Sequence, residues 1–196
     1  MTKQTSQLLS LFSLILLCAL PGVLLSWQLF NNQLGANPVE ALEHATGDWA
    51  IYFLLTTLAA PLILKRLKRP SPLPTYLIKR TLGLAAFIYA LLHLTTYLIF
   101  DVELDFNAFV NDLAERPFIL IGMIALLTLF PLAITSTQGW QRRLKKHWLT
   151  LHKGIYLATA LAIIHYALLV KADLTQPIML LTIFTLVILW KRKNQK

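Results

Sequence analysis

Six apolar segments, each about as long as a bilayer is thick, constrain this chain more than any other feature. A spanning helix needs roughly 17–25 predominantly apolar residues. Such runs lie near 8–29, 47–64, 80–99, 117–135, 152–170 and 175–191. Hydrocarbon offers the backbone no hydrogen-bond partners, so each run must satisfy its own polar groups as a helix. The fold class is therefore all-α, a polytopic membrane protein with six transmembrane helices. Composition agrees, with 57% of the 196 residues hydrophobic and 14% charged, against about 45–50% and about 25% in a soluble domain. Pro21-Gly22, Pro61 and Pro131 fall inside helices and predict bends, whereas Pro117 and Pro177 sit near helix starts. The first run reads as a retained helix rather than a cleaved signal. Its apolar stretch is long, its leading charge is Lys3 alone, and no A-x-A site follows.

Charge orients the helices. Lys3 precedes the first; Lys65, Arg66, Lys68, Arg69, Lys79 and Arg80 separate the second and third. Arg142, Arg143, Lys145, Lys146 and Lys153 separate the fourth and fifth, and Lys191, Arg192, Lys193 and Lys196 end the chain. These are sixteen of the eighteen basic residues, with no acid among them. The other side holds all nine acids, Glu40, Glu43, Asp48, Asp101, Glu103, Asp105, Asp112, Glu115 and Asp173, with only Arg116 and Lys171. The positive-inside rule then makes both termini and the basic loops cytoplasmic. The net charge of +9 does not indicate nucleic acid, because it sits in short clusters between apolar runs rather than on one soluble face.

Other classes are excluded by what the chain lacks. With Cys18 as the single cysteine there is no disulfide framework, no C-x-x-C-H attachment and no thiolate zinc site. The longest loop, FNNQLGANPVEALEHAT at 30–46, lies outside and is too short to fold alone, so 1–196 reads as one transmembrane domain. No G-x-G-x-x-G appears, so the chain contains no nicotinamide- or flavin-binding Rossmann unit.

Chemistry enters with the histidines. The stretch 147–171, HWLTLHKGIYLATALAIIHYALLVK, carries His152 and His165, and LGLAAFIYALLHLTTYLIF carries His93. An ionisable residue well inside a membrane helix is a functional-site hypothesis by default. His93 is 13 residues beyond Arg80 and His165 is 12 beyond Lys153. At about 1.5 Å per residue both lie roughly 18–20 Å from the inner anchors, in the outer half of the membrane. Two imidazoles at equal depth on different helices suit a b-type haem, whose iron takes an axial nitrogen from each side. Gly83, Ala86, Ala90, His93 and Tyr97 share one face, as do Gly154, Ala158, Ala162 and His165. Such stripes leave room for a flat macrocycle, or equally let two helices pack closely.

The remaining candidates are less well placed. His152 lies about 140° around an ideal helix from His165, so iron binding there needs a bend. Lys79 shares the face of His93, and with Arg80 it suits a haem propionate or a flavin phosphate better than iron. His44 reads as a solvated loop residue. His147 belongs to QRRLKKHW, a basic amphipathic stretch on the inner surface, with Trp140 and Trp148 as interfacial anchors. TSTQGW at 135–140 is polar for a membrane exit, and its hydroxyls cap the helix or meet a cofactor. A proton relay or transporter built on titrating histidines is a separate reading, as is a structural subunit whose histidines are satisfied by neighbouring helices.

Three blocks, LGANPVEALEHATGDWA, RTLGLAAFIYALLHLTTY and TSTQGWQRRLKKHWLTLHKGIYLATALAIIHY, resemble the MsrQ (YedZ) family, haem-binding membrane subunits of bacterial periplasmic methionine sulfoxide reductase systems. That family belongs to the ferric-reductase-like transmembrane superfamily, with a six-helix haem-carrying core. The resemblance implies haem b, with His93, His152 and His165 at the family's histidine positions, and a bound FMN. It implies an inner-membrane electron-transfer subunit rather than the catalytic one. Electrons from the quinone pool, or from a cytosolic flavin reductase, would pass to a periplasmic molybdopterin enzyme that reduces methionine sulfoxide in oxidised envelope proteins. The superfamily usually places two histidines on each haem helix, and Lys79 stands where the fourth would be. Within the electron-transfer class the alternative is a stand-alone ferric or cupric reductase.

Reporter fusions test the orientation. A reporter active only in the cytoplasm is expected to work at the C-terminus and within 142–147, and to fail within 101–115. The reverse pattern overturns the assignment.

Overall fold

Where the hydropathic runs begin and end is decided by polar groups at their margins, which capping satisfies. The computed structural model describes residues 3–67, 71–170 and 173–194. Of the residues in the charge pattern, Lys68, Arg69, Lys171 and Lys196 lie outside the described residues. In chain order the elements are α1 Lys3–Phe30, α2 Pro38–Leu67, α3 Thr75–Thr96, a π-helical turn Tyr97–Asp101, α4 Phe106–Glu115, α5 Pro117–Ile134, α6 Gln138–Leu144, α7 Lys146–His152, α8 Gly154–Val170 and α9 Thr175–Lys193. No strand occurs among the described residues. The chain is a multi-pass membrane protein. Among the described residues, five stretches are long and apolar enough to cross a bilayer: Gln4–Phe30, Pro38–Leu67, Thr75–Asp101, Pro117–Ile134 and Lys146–Val170.

Three departures from the expected spans have local causes. The span expected from 47 begins at Pro38, because Asn37 and Glu40 cap it reciprocally. The Glu40 N–H donates to Asn37 Oδ1 at 3.3 Å, and Asn37 Nδ2 donates to Glu40 Oε2 at 2.9 Å. His44, expected to be solvated in a loop, is consequently a half-buried helix residue. The acidic segment expected as an outer loop contains α4, whose N-cap Asp105 accepts from the N–H groups of Asn107 and Ala108 at 2.8 and 3.3 Å. The span expected at 152–170 is interrupted, since α7 ends at His152 and α8 starts at Gly154, with Lys153 as a turn between them. By contrast α5 starts at Pro117 in its first helical position, as expected.

The chain forms two compact units, Met1–Thr96 and Tyr97–Lys196. In the first, α2 and α3 form the main pair, and α1 lies against both. Leu54, Thr57 and Leu58 are buried on α2, and Leu82, Ala86 and Tyr89 on α3. In the second, α5 pairs with α8, while α9 packs on α8 and α4 on α5. Ala125 and Leu129 of α5, Ala158, Thr159 and Ile163 of α8, and Leu180 and Phe184 of α9 are buried there.

One contact ties α3 to α1 beside Pro21-Gly22. The Gly22 N–H donates to the Tyr89 hydroxyl at 2.6 Å. That hydroxyl donates onward to the Cys18 carbonyl at 3.0 Å. A side chain of α3 thus acts as a relay between an N–H and a carbonyl on successive turns of α1. Gly22 permits the approach, since a Cβ there would sit 3.1 Å from the Tyr89 oxygen.

Tyr89→Phe removes the relay while keeping the ring. Interhelical hydrogen bonds in membranes contribute about 0.6 kcal/mol on average and up to about 1.7. Equilibrium unfolding in mixed micelles is therefore expected to show a loss of about 1 kcal/mol. An unchanged stability would mean that the relay is dispensable.

Candidate functional site

An imidazole carries two nitrogens, and its use as a ligand depends on which one bears the proton. In the first unit His93 is half-buried on α3. Its Nδ1 lies 3.0 Å from the backbone carbonyl of Glu43 on α2. In the second unit His165, half-buried on α8, places Nδ1 2.6 Å from the carbonyl of Phe118 on α5. A carbonyl oxygen only accepts, so in both rings Nδ1 donates and the lone pair resides on Nε2. Metal-bound histidines are commonly held in this way, the non-ligating N–H given to a carbonyl that fixes ring orientation and raises basicity. The donor set therefore suits axial ligation of a haem iron through Nε2.

Glycines make these contacts possible. A Cβ on Gly47 would stand 3.3 Å from Cε1 and Nδ1 of His93. One on Gly122 would stand 2.7 Å from Nδ1 and 2.9 Å from Cε1 of His165, closer than real atoms approach. Neither glycine nor either carbonyl was singled out by the sequence reading. A lone glycine inside a helical apolar run, costly by about 1 kcal/mol relative to alanine unless packing requires it, was the available signal.

The small-residue stripes below the histidines are used for helix packing. A Cβ on Gly83 would lie 3.8 Å from Thr57 Cγ2 of α2, and one on Gly154 would lie 3.3 Å from Leu132 Cδ1 of α5. Ala86 and Ala158 are fully buried. At these positions the stripes seat α3 on α2 and α8 on α5, rather than lining a slot.

His152 sits in a different environment. Its ring stacks on Trp148 with centroids 3.9 Å apart and 27° between planes, and its Nε2 is 3.0 Å from Thr135 Oγ1. The Thr135 hydroxyl donates to the Pro131 carbonyl at 2.6 Å, so its oxygen accepts from His152 Nε2–H. In the neutral ring the lone pair is then on Nδ1, the opposite tautomer from His93 and His165. Trp148 Nε1 donates to the Thr135 carbonyl at 2.9 Å, so Thr135 gathers both aromatic rings at the end of α5. Lys153, with φ −67° and ψ −18°, is the turn that separates His152 on α7 from His165 on α8.

The rest of TSTQGW caps, as expected. Ser136 donates to the Leu132 carbonyl at 2.7 Å, and Thr137 accepts from the Trp140 N–H at 3.4 Å. His147 is exposed on α7. Lys79 is exposed and Arg80 half-buried, both early in α3. They precede His93 by 14 and 13 residues, about 20 Å along a helix. Among the described residues no group of three or more His, Cys, Asp or Glu side chains gathers to hold a bare metal ion.

Known proteins share this chain's pattern. Residues 46–163, which include all the histidines discussed except His44 and His165, match the family described as ferric reductase like transmembrane component. Three relatives carry the description protein-methionine-sulfoxide reductase heme-binding subunit MsrQ. The one from Xanthomonas euvesicatoria pv. vesicatoria is 39% identical over 97% of this chain and 89% of its own length. That from Caulobacter vibrioides is 40% identical over 90% and 83%, and that from Xanthomonas campestris pv. campestris is 42% identical over 87% and 80%. Similarity at this level, sustained along nearly the whole chain, means that the chain belongs to the MsrQ family, with a ferric reductase like transmembrane component.

Proposed function

We propose that this protein is the haem-binding membrane subunit of a methionine sulfoxide reductase system, holding haem b through Nε2 of His93 and His165. The observation that carries the reading is the carbonyl-held Nδ1–H of each ring, which leaves both imidazoles in the tautomer an axial ligand requires. When bound, the haem supplies a one-electron carrier inside the membrane. The chain's own residues ligate it, exclude water and, through the carbonyl contacts, set the electron density its iron receives.

In this reading 1–196 acts as one transmembrane domain in the bacterial inner membrane, α9 is the sixth span, and both termini are cytoplasmic. The unequal distribution of lysine, arginine and acids supports that orientation. Electrons enter on the basic cytoplasmic side, from the quinone pool or a cytosolic flavin reductase, and leave outward to a periplasmic molybdopterin-containing catalytic subunit. Lys79 and Arg80 are assigned to an anionic group at the inner face, a haem propionate or the phosphate of FMN. His152 is the remaining candidate ligand. To offer Nε2 to iron it must first give up its contact with Thr135, so the reading places a single haem on His93 and His165.

Spectroscopy on the purified full-length chain tests this. A pyridine haemochrome assay is expected to give b-type haem, and flavin extraction reports FMN separately. His165→Ala and His93→Ala are each expected to abolish the low-spin b-haem spectrum, while His147→Ala, at an exposed position, retains it. A normal spectrum in His165→Ala, or a colourless wild type, overturns the assignment. The colourless result favours the proton-relay alternative. Ferric or cupric reduction by the isolated chain, with no catalytic partner, would favour a stand-alone reductase.

A further inference from the structure

The spacing between accepting carbonyl and glycine is the same in both units, Glu43 with Gly47 and Phe118 with Gly122. A helical side chain leans toward the N-terminus and covers the turn before it. A side chain at Gly47 or Gly122 would therefore cover the very carbonyl on which the histidine rests. We propose that Gly122 and Gly47 are positioning residues for haem ligation, each a notch that lets an imidazole from the neighbouring helix reach a helical carbonyl and so be locked with its lone pair on Nε2. The proposal rests on the haem reading above and adds to it what holds the ligands.

The two notches differ in tightness. Gly122 has no tolerance, since a Cβ would meet the His165 ring at 2.7 Å from Nδ1, whereas Gly47 leaves 3.3 Å to His93. The carbonyl bond is likewise shorter at His165, 2.6 Å against 3.0 Å. Donation from Nδ1–H to a carbonyl makes Nε2 a stronger donor and so favours the oxidised iron. Adding a methyl group at either glycine displaces the ring from its carbonyl, with the larger effect at Gly122. Gly83 is the control, because a Cβ there makes only an ordinary 3.8 Å contact with Thr57.

The test uses Gly122→Ala, Gly47→Ala and Gly83→Ala in the full-length chain. It reads haem occupancy, the midpoint potential by redox titration and the low-spin ferric EPR signal. Gly122→Ala is expected to raise the potential, shift the EPR signal and weaken haem binding about tenfold or more, the usual consequence of losing an outer contact to a metal ligand. Gly47→Ala is expected to move the same readouts in the same direction by less, and Gly83→Ala to match wild type. Should Gly122→Ala fail to fold, Gly47→Ala with its looser fit carries the comparison. Full haem with wild-type potential and EPR signal in both variants overturns the positioning role while leaving the haem reading intact. A wild-type chain that binds no haem overturns both. In haem-free chain, wild-type ring ¹⁵N shifts at His165 in Gly122→Ala also overturn the proposal.

Discussion

A polar N–H carried into the hydrocarbon core must find an acceptor there, and in this protein that requirement couples the orientation of two histidine rings to helix packing. Leaving such a group without a partner costs about 1–3 kcal/mol by protein mutational measures. Side-chain acceptors are scarce among residues this apolar. The structure uses the helix backbone instead, bringing Nδ1 of His93 to the Glu43 carbonyl and Nδ1 of His165 to that of Phe118. Each bond works only if two helices approach closely at that level, which Gly47 and Gly122 allow. The same contact thus seats α3 on α2, or α8 on α5, and fixes which ring nitrogen carries the proton.

The other irregularities follow the same rule. Non-helical or interrupted backbone at membrane depth is tolerated where protein groups re-satisfy it. Beside Pro21-Gly22 the Tyr89 hydroxyl bridges an N–H and a carbonyl of α1. At the end of α5, beyond Pro131, the hydroxyls of Thr135 and Ser136 return to helical carbonyls, and the Thr135 carbonyl receives Trp148. Thr135 also accepts from His152, which gives that histidine a structural partner and a tautomer unlike the other two. Three histidines that look alike along the chain therefore divide into two chemical states, His93 and His165 in one and His152 in the other.

Much of the fold was legible because hydrophobic length and charge asymmetry are properties of the chain itself. α5 falls within a residue of its expected span, and Pro117 starts it because the missing N–H costs nothing there. The polar beginnings of α2, and α4 within the acidic segment, were missed because hydropathy does not register a capping box or an aspartate cap. The site was half legible. His93 and His165 stood out as ionisable residues in apolar surroundings, but their carbonyl partners are backbone atoms, which every residue type possesses. No pattern of side chains announces them. The stripes at Gly83 and Gly154 pointed to close approach without revealing that neighbouring helices fill the space.

By itself the sequence determined that the chain lives in a membrane, that its basic and acidic residues fall in separate segments between apolar runs, that it belongs among MsrQ proteins, and that His93 and His165 lie within apolar helices. The family follows from residue-by-residue similarity to its members, and the rest from hydrophobic length and charge placement, which are local and additive. Tertiary structure alone decided which nitrogen of each ring carries the proton, why Gly47 and Gly122 are glycines, and how Tyr89 joins α3 to α1. Those outcomes depend on contacts between residues tens of positions apart, where a few tenths of an ångström separate a hydrogen bond from a clash.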